Sequence, residues 1–167
     1  MSEYQYYEFL ALDRPLTADE IQQMRAFSTR ARITPTSFVN VYNWGDFRGN
    51  VNHFMRKYFD AFVYVANWGT HVLQFRLPKA GLDVSLAKRY CPCDYAHLRA
   101  VGEHIVLKFL SEDEEGEWVD GEGWMSSLAP LRADLMAGDL RCLYLGWLHC
   151  VGCDEVENGG IEPPVPP

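Results

Sequence analysis

The chain has 167 residues, 48% of them hydrophobic and 14% aromatic, with a formal net charge of −8. That length supports one domain with a real core and excludes two of ordinary size. The charge excludes a generally basic, polyanion-binding chain, and no apolar run approaches the roughly 20 residues that span a bilayer.

Tyr4 to Ala11 is aromatic and apolar and predicts a first strand, which Pro15 prevents from continuing. Thr17-Ala18-Asp19-Glu20 is a capping box, so a helix should run to about Thr29, with Ile21, Met24 and Phe27 on its buried face. Phe38 to Asn43 predicts a second strand. Asn50 or Asn52 then caps a helix reaching about Phe59, and Ala61 to Asn67 is a third strand. His71 to Leu77 alternates with a period of two. The short Asn67-Trp68-Gly69-Thr70 joint makes it the antiparallel partner of the third strand.

Asp83 to Tyr90 predicts a short helix, while Cys91 to Val101 gives no clear pattern. Glu103 to Leu110 predicts a fifth strand. Trp124 to Ala137 has helical periodicity. Leu140 to Val151 is apolar nearly all round and is expected to be the most buried helix. The closing Gly159-to-Pro167 stretch predicts an extended, polyproline-like tail or linker.

The most specific internal feature is a near-repeat. Phe38-Val39-Asn40-Val41-Tyr42-Asn43-Trp44-Gly45 returns as Phe62-Val63-Tyr64-Val65-Ala66-Asn67-Trp68-Gly69, 24 residues later. Each copy is a strand-like run that stops at a turn. The spacer holds a helix, so the pair predicts one strand–helix–strand unit with both tryptophans at the same sheet edge. Asn43, Trp44, Asp46, Asn67, Trp68 and His71 are therefore the candidate residues for a ligand or partner. A flat apolar ring beside amide donors and acceptors suits a peptide or sugar-like group. The same residues also have a structural reading, in which each Asn bonds its own turn and each Gly takes a positive φ.

Five cysteines without a secretory signal at Met1-Ser2-Glu3-Tyr4 predict reduced thiols in a cytoplasmic protein. Cys91, Cys93, Cys150 and Cys153 offer a weaker zinc alternative. A redox role for Cys150 and Cys153 is disfavoured, because the pair closes a helix instead of opening one. No cofactor motif is present. Seven acids crowd 112–122, and 21–59 is basic through Arg25, Arg30, Arg32, Arg48, Arg56 and Lys57. The acidic run predicts a solvated loop and lacks the alternating order of a calcium site. The overall charge disfavours nucleic acid as a partner. No nucleophile elbow, phosphate-cradling loop or paired-histidine motif appears.

Tyr4-Gln-Tyr-Tyr-Glu-Phe9, Asp13-Arg-Pro-Leu-Thr17, the Ser28-to-Phe38 run and the Asn-Trp-Gly strands resemble the amino-terminal part of an uncharacterised family of bacterial proteins without an established activity. The resemblance extends to Glu162-Pro-Pro-Val-Pro-Pro167. It implies a bacterial cytoplasmic protein whose chain continues past the prolines, and it carries over no functional residue.

The expectation is a single α+β domain over 1–157 with a tail or linker over 158–167. Its mixed sheet of about five strands would be backed by helices, and its C-terminal third would be helical. The expected role is non-catalytic protein interaction or scaffolding, toward another protein or a domain beyond Pro167. The alternative is a small-ligand protein or enzyme that uses the Trp44/Trp68 edge.

Overall fold

The computed structural model describes residues 3–156 and 161–167. The domain boundary expected at 157/158 and the glycines at 159 and 160 lie outside the described residues.

Among the described residues, one sheet runs through seven strands: β1 (Gln5–Leu10), β2 (Arg32–Thr34), β3 (Ser37–Tyr42), β4 (Ala61–Ala66), β5 (Thr70–Pro78), β6 (Ala96–Val101) and β7 (His104–Glu112). Their spatial order is β2-β3-β1-β4-β5-β7-β6. Every neighbouring pair is antiparallel. This corrects the expected five-stranded mixed sheet. β3 and β4 do run the same way, as the repeat suggests, but β1 lies between them and pairs antiparallel with both. The two extra strands are β2, three residues long and solvent-facing, and β6, half exposed and without a continuous apolar run.

The helices are short and spread along the chain, which corrects the expected helical C-terminal third. They are α1 (Ala18–Arg25), α2 (Val51–Lys57), α3 (Val84–Arg89), α4 (Trp124–Leu128), α5 (Pro130–Met136) and α6 (Arg141–Gly152). The Thr17/Glu20 capping box starts α1 and Asn50 caps α2. Pro130 splits the helix expected over 124–137 into α4 and α5: its ring fits a first helical turn and clashes with a preceding one.

The sheet separates two cores. On one face, α1 and α2 cover Phe9, Phe38 and Phe62, and Phe47, Phe54 and Phe59 complete an aromatic cluster. On the other face, α3 to α6 cover Val63, Phe75, Ile105 and Leu107. Burying one such side chain contributes about 1.5–3 kcal/mol. α6 is not the most buried helix: Leu143, Gly146 and Cys150 face the sheet, while Leu145 is 66% exposed.

The proline tail folds back onto the domain. Pro163 is buried. The Tyr90 hydroxyl donates to the Pro164 carbonyl at 2.7 Å, and the Tyr144 hydroxyl donates to the Glu162 carboxylate at 3.2 Å.

The tryptophan end of the sheet, a candidate partner surface

Register fixes where the repeat ends. Gln5, the first residue of β1, faces Tyr42 on one side and Ala66 on the other. Both Asn-Trp-Gly turns therefore leave the sheet at the same end, flanking the start of β1. Trp44 is 82% exposed and Trp68 45%.

Tyr4, just before β1, ties this end together. Its backbone N–H donates to Asn67 Oδ1 at 3.1 Å, and its hydroxyl donates to Asp120 at 2.8 Å. Its ring meets Trp118 edge-on at 5.3 Å between centroids. Burial and the hydrogen bond to Asp120 push the Tyr4 hydroxyl up to about 12, so it stays protonated and donating. Trp118, 59% exposed, thus joins Trp44 and Trp68 at one end of the molecule. The acidic run arrives with it. Residues 112–120 are exposed, and the Asp113 N–H bonds the Gly69 carbonyl. Among the described residues no acid of this run pairs with a base of 21–59.

The six candidate residues divide three ways. Asn43, Trp44 and Asp46 line a cleft of about 420 Å³ with Arg30, Arg48 and Tyr42. Asp46 is held as a structural acceptor: its Oδ1 takes hydrogen bonds from the Tyr7 hydroxyl and the Phe47 N–H, both at 2.7 Å. Gln5 supports the same loop by donating to the Gly45 carbonyl at 3.0 Å. The Tyr42 hydroxyl is buried in the cleft wall beside Asn40 and Ser28.

Asn67 and Trp68 form the neighbouring turn and do not line that cleft. Gly69 has φ +97°, and a Cβ there would run into the Asp113 carbonyl, so the turn admits only glycine. His71 belongs elsewhere. It is in register with Val65, whose side chain enters the core under α3 to α6, and its ring stacks on Trp124 at 5.1 Å. Burial lowers its pKa.

Sequence reasoning missed Tyr4 and Trp118. The available signal was a lone large ring inside a run of acids, where solvation alone gives no reason for one.

The cysteines depart from expectation. Cys93 and Cys150 form a disulfide that joins the lead-in to β6 to the inner face of α6. The expected reduced state and the four-cysteine zinc alternative are both corrected by that bond. Cys91 and Cys142 are mostly buried, which pushes both thiols up to about 12 and leaves them poor ligands and nucleophiles. Among the described residues no three His, Cys, Asp or Glu side chains are placed to hold a metal.

Among the described residues no helix is long and apolar enough to cross a membrane. No protein-family model matches the chain, and no curated protein or solved structure matches it either.

Proposed function

We propose that this is a non-catalytic protein-docking domain of a bacterial cytoplasmic protein, with the tryptophan end of the sheet as its partner surface. One observation supports the reading above others: Trp44, Trp68 and Trp118 are all exposed at that end. Tryptophan is the side chain most enriched among residues that dominate binding energy, and leaving three in water forgoes burial the fold could have used. The seven acids of 112–122 frame them. The complementary partner carries a basic surface with apolar pockets, and its association is salt-sensitive. The cytoplasmic setting belongs to this proposal. The Cys93–Cys150 bond weighs against it, because disulfides are rare in reducing compartments.

The test is affinity capture with the intact protein, comparing wild type with Trp44→Ala, Trp68→Ala and Trp118→Ala. The variants should melt near the wild-type temperature, since exposed positions contribute about 0.5 kcal/mol or less. At least one should weaken the specific partner by about 2 kcal/mol, roughly thirtyfold. Equal capture by all four proteins would remove the reading. A small ligand in the Trp44 cleft is the second reading, favoured by the Asn43, Arg30 and Arg48 side chains that line it.

A further inference from the structure

The face of the sheet that carries α1 and α2 is only half covered. These helices sit over β3, β1 and β4. Beyond them, β5, β7 and β6 present Val72, Gln74, Lys108, His97 and Arg99 on the same face, in register across the strands: Gln74 faces Lys108, and Lys108 faces His97. Two adjoining hollows of about 420 and 290 Å³ run along the step between α2 and this open surface, and both are lined by Asn50 and Asn52.

The lining is one-sided in charge. Lys108 borders the first hollow, and His53, Arg56 and Arg99 border the second. No carboxylate lines either one among the described residues, although the chain carries a net charge of −8. Neither Arg56, Arg99 nor Lys108 has an acid partner within 4.0 Å among the described residues. Arg99 donates to Asn52 Oδ1 at 3.1 Å, a neutral acceptor. Burial and the neighbouring Arg56 lower its pKa, so the two guanidiniums repel one another across the hollow.

A second, independent observation lies in the first hollow. Gln74 is only 5% exposed, and its Oε1 is buried without a hydrogen-bond partner among the described residues. Leaving such an atom unpaired costs about 1–3 kcal/mol, and a donor from a bound ligand would remove that cost. Tyr64 and Val72 form the floor beside it.

We propose that this groove binds a small phosphorylated ligand, with its phosphate between Arg56, Arg99 and His53 and a hydroxyl or N–H of its remaining part donating to Gln74. Paired guanidiniums suit a doubly charged oxyanion better than a single carboxylate. Gln74 and Arg99 stand two strand spacings apart and two residues out of register, about 12 Å between backbones, and their side chains reach inward to the span of a nucleoside monophosphate or an extended sugar phosphate. A polynucleotide fits less well, because the acidic surface at the tryptophan end repels a long polyanion.

The experiment is titration calorimetry on the intact protein with inorganic phosphate, ribose 5-phosphate, adenosine 5′-monophosphate and adenosine. One of the two phosphate esters should bind saturably below about 1 mM. It should bind more tightly than inorganic phosphate or adenosine alone. Which ester binds identifies the non-phosphate part. Arg56→Gln and Arg99→Gln should each weaken that ester about tenfold, the effect of one charge-assisted hydrogen bond. Gln74→Leu should weaken the ester and leave inorganic phosphate unchanged. Arg56→Gln and Gln74→Leu should melt no lower than wild type, because one removes a repulsion and the other an unpaired buried atom. No saturable binding of any probe up to about 10 mM overturns the proposal. So does ester binding that Arg99→Gln and Arg56→Gln leave unchanged.

Discussion

Asp60 is the residue on which the end of the sheet away from the tryptophans depends. It is almost fully buried just before β4. Its Oδ2 accepts from the backbone N–H groups of Leu12 and Asp13, at 2.6 and 2.8 Å. Its Oδ1 accepts from Arg76 at 2.8 Å, and Arg132 lies 3.8 Å away. Arg132 in turn grips Asp13 with two hydrogen bonds and the Arg76 carbonyl with a third. One carboxylate thus joins β1, β4, β5 and α5. Asp60→Asn leaves Arg76 buried beside a neutral group, and breaking such a pair costs about 3–5 kcal/mol. Denaturant unfolding of the purified variant should show that loss, and a change under about 1 kcal/mol would refute the assignment. Nothing local in the sequence marks Asp60, because its partners stand at positions 12, 13, 76 and 132. Asn67 shows the same limit: the turn it begins was legible from Asn-Trp-Gly, but its Oδ1 accepts from the Tyr4 N–H 63 positions away.

At the scale of elements, the sequence reports what depends on neighbours in the chain. The capping box at Thr17, the Asn50 cap and the hairpin at Gly69 are local chemistry and stand where that chemistry puts them. The strand–helix–strand repeat also placed Trp44 and Trp68 at one end, because β3 and β4 are parallel and start their turns in the same register. The insertion of β1 between them was not legible. It is a pairing of residues 27 to 61 positions apart, and periodicity carries no information about it. α6 failed for a related reason: an all-round apolar helix looks buried, but only its Leu143, Gly146 and Cys150 side meets the sheet. Leu143→Ala should therefore cost about 2–5 kcal/mol, while Leu145→Gln should change stability by about 0.5 kcal/mol or less. Equal losses in thermal melts would mean that the outer face of α6 is also packed.

For the whole molecule, charge and burial make stability depend on pH in two steps. Burial depresses His71 below its ordinary 6.5, with Asp113 opposing weakly. The folded state therefore prefers neutral His71, and stability is full above 6.5 and falls as pH drops through that unfolded value. Asp13 is held low by its hydrogen bonds to Arg132. Glu20 is held down to about 2 by Arg14 and its cap position. A depressed carboxylate contributes stability above its unfolded pKa, here about 4 to 4.5, and that contribution disappears as pH falls toward 2. Both terms act in the same direction, and both are damped by solvent, because His71 is half buried and Glu20 lies at the surface. Neutralising the exposed acids of 112–122 opposes the second step by relieving their mutual repulsion. Thermal melts should show a shallow fall between pH 7 and 5 and a second fall below 4.5. His71→Gln should abolish the first and keep the second. A variant that still loses stability between pH 7 and 5 as wild type does would transfer that step to another histidine.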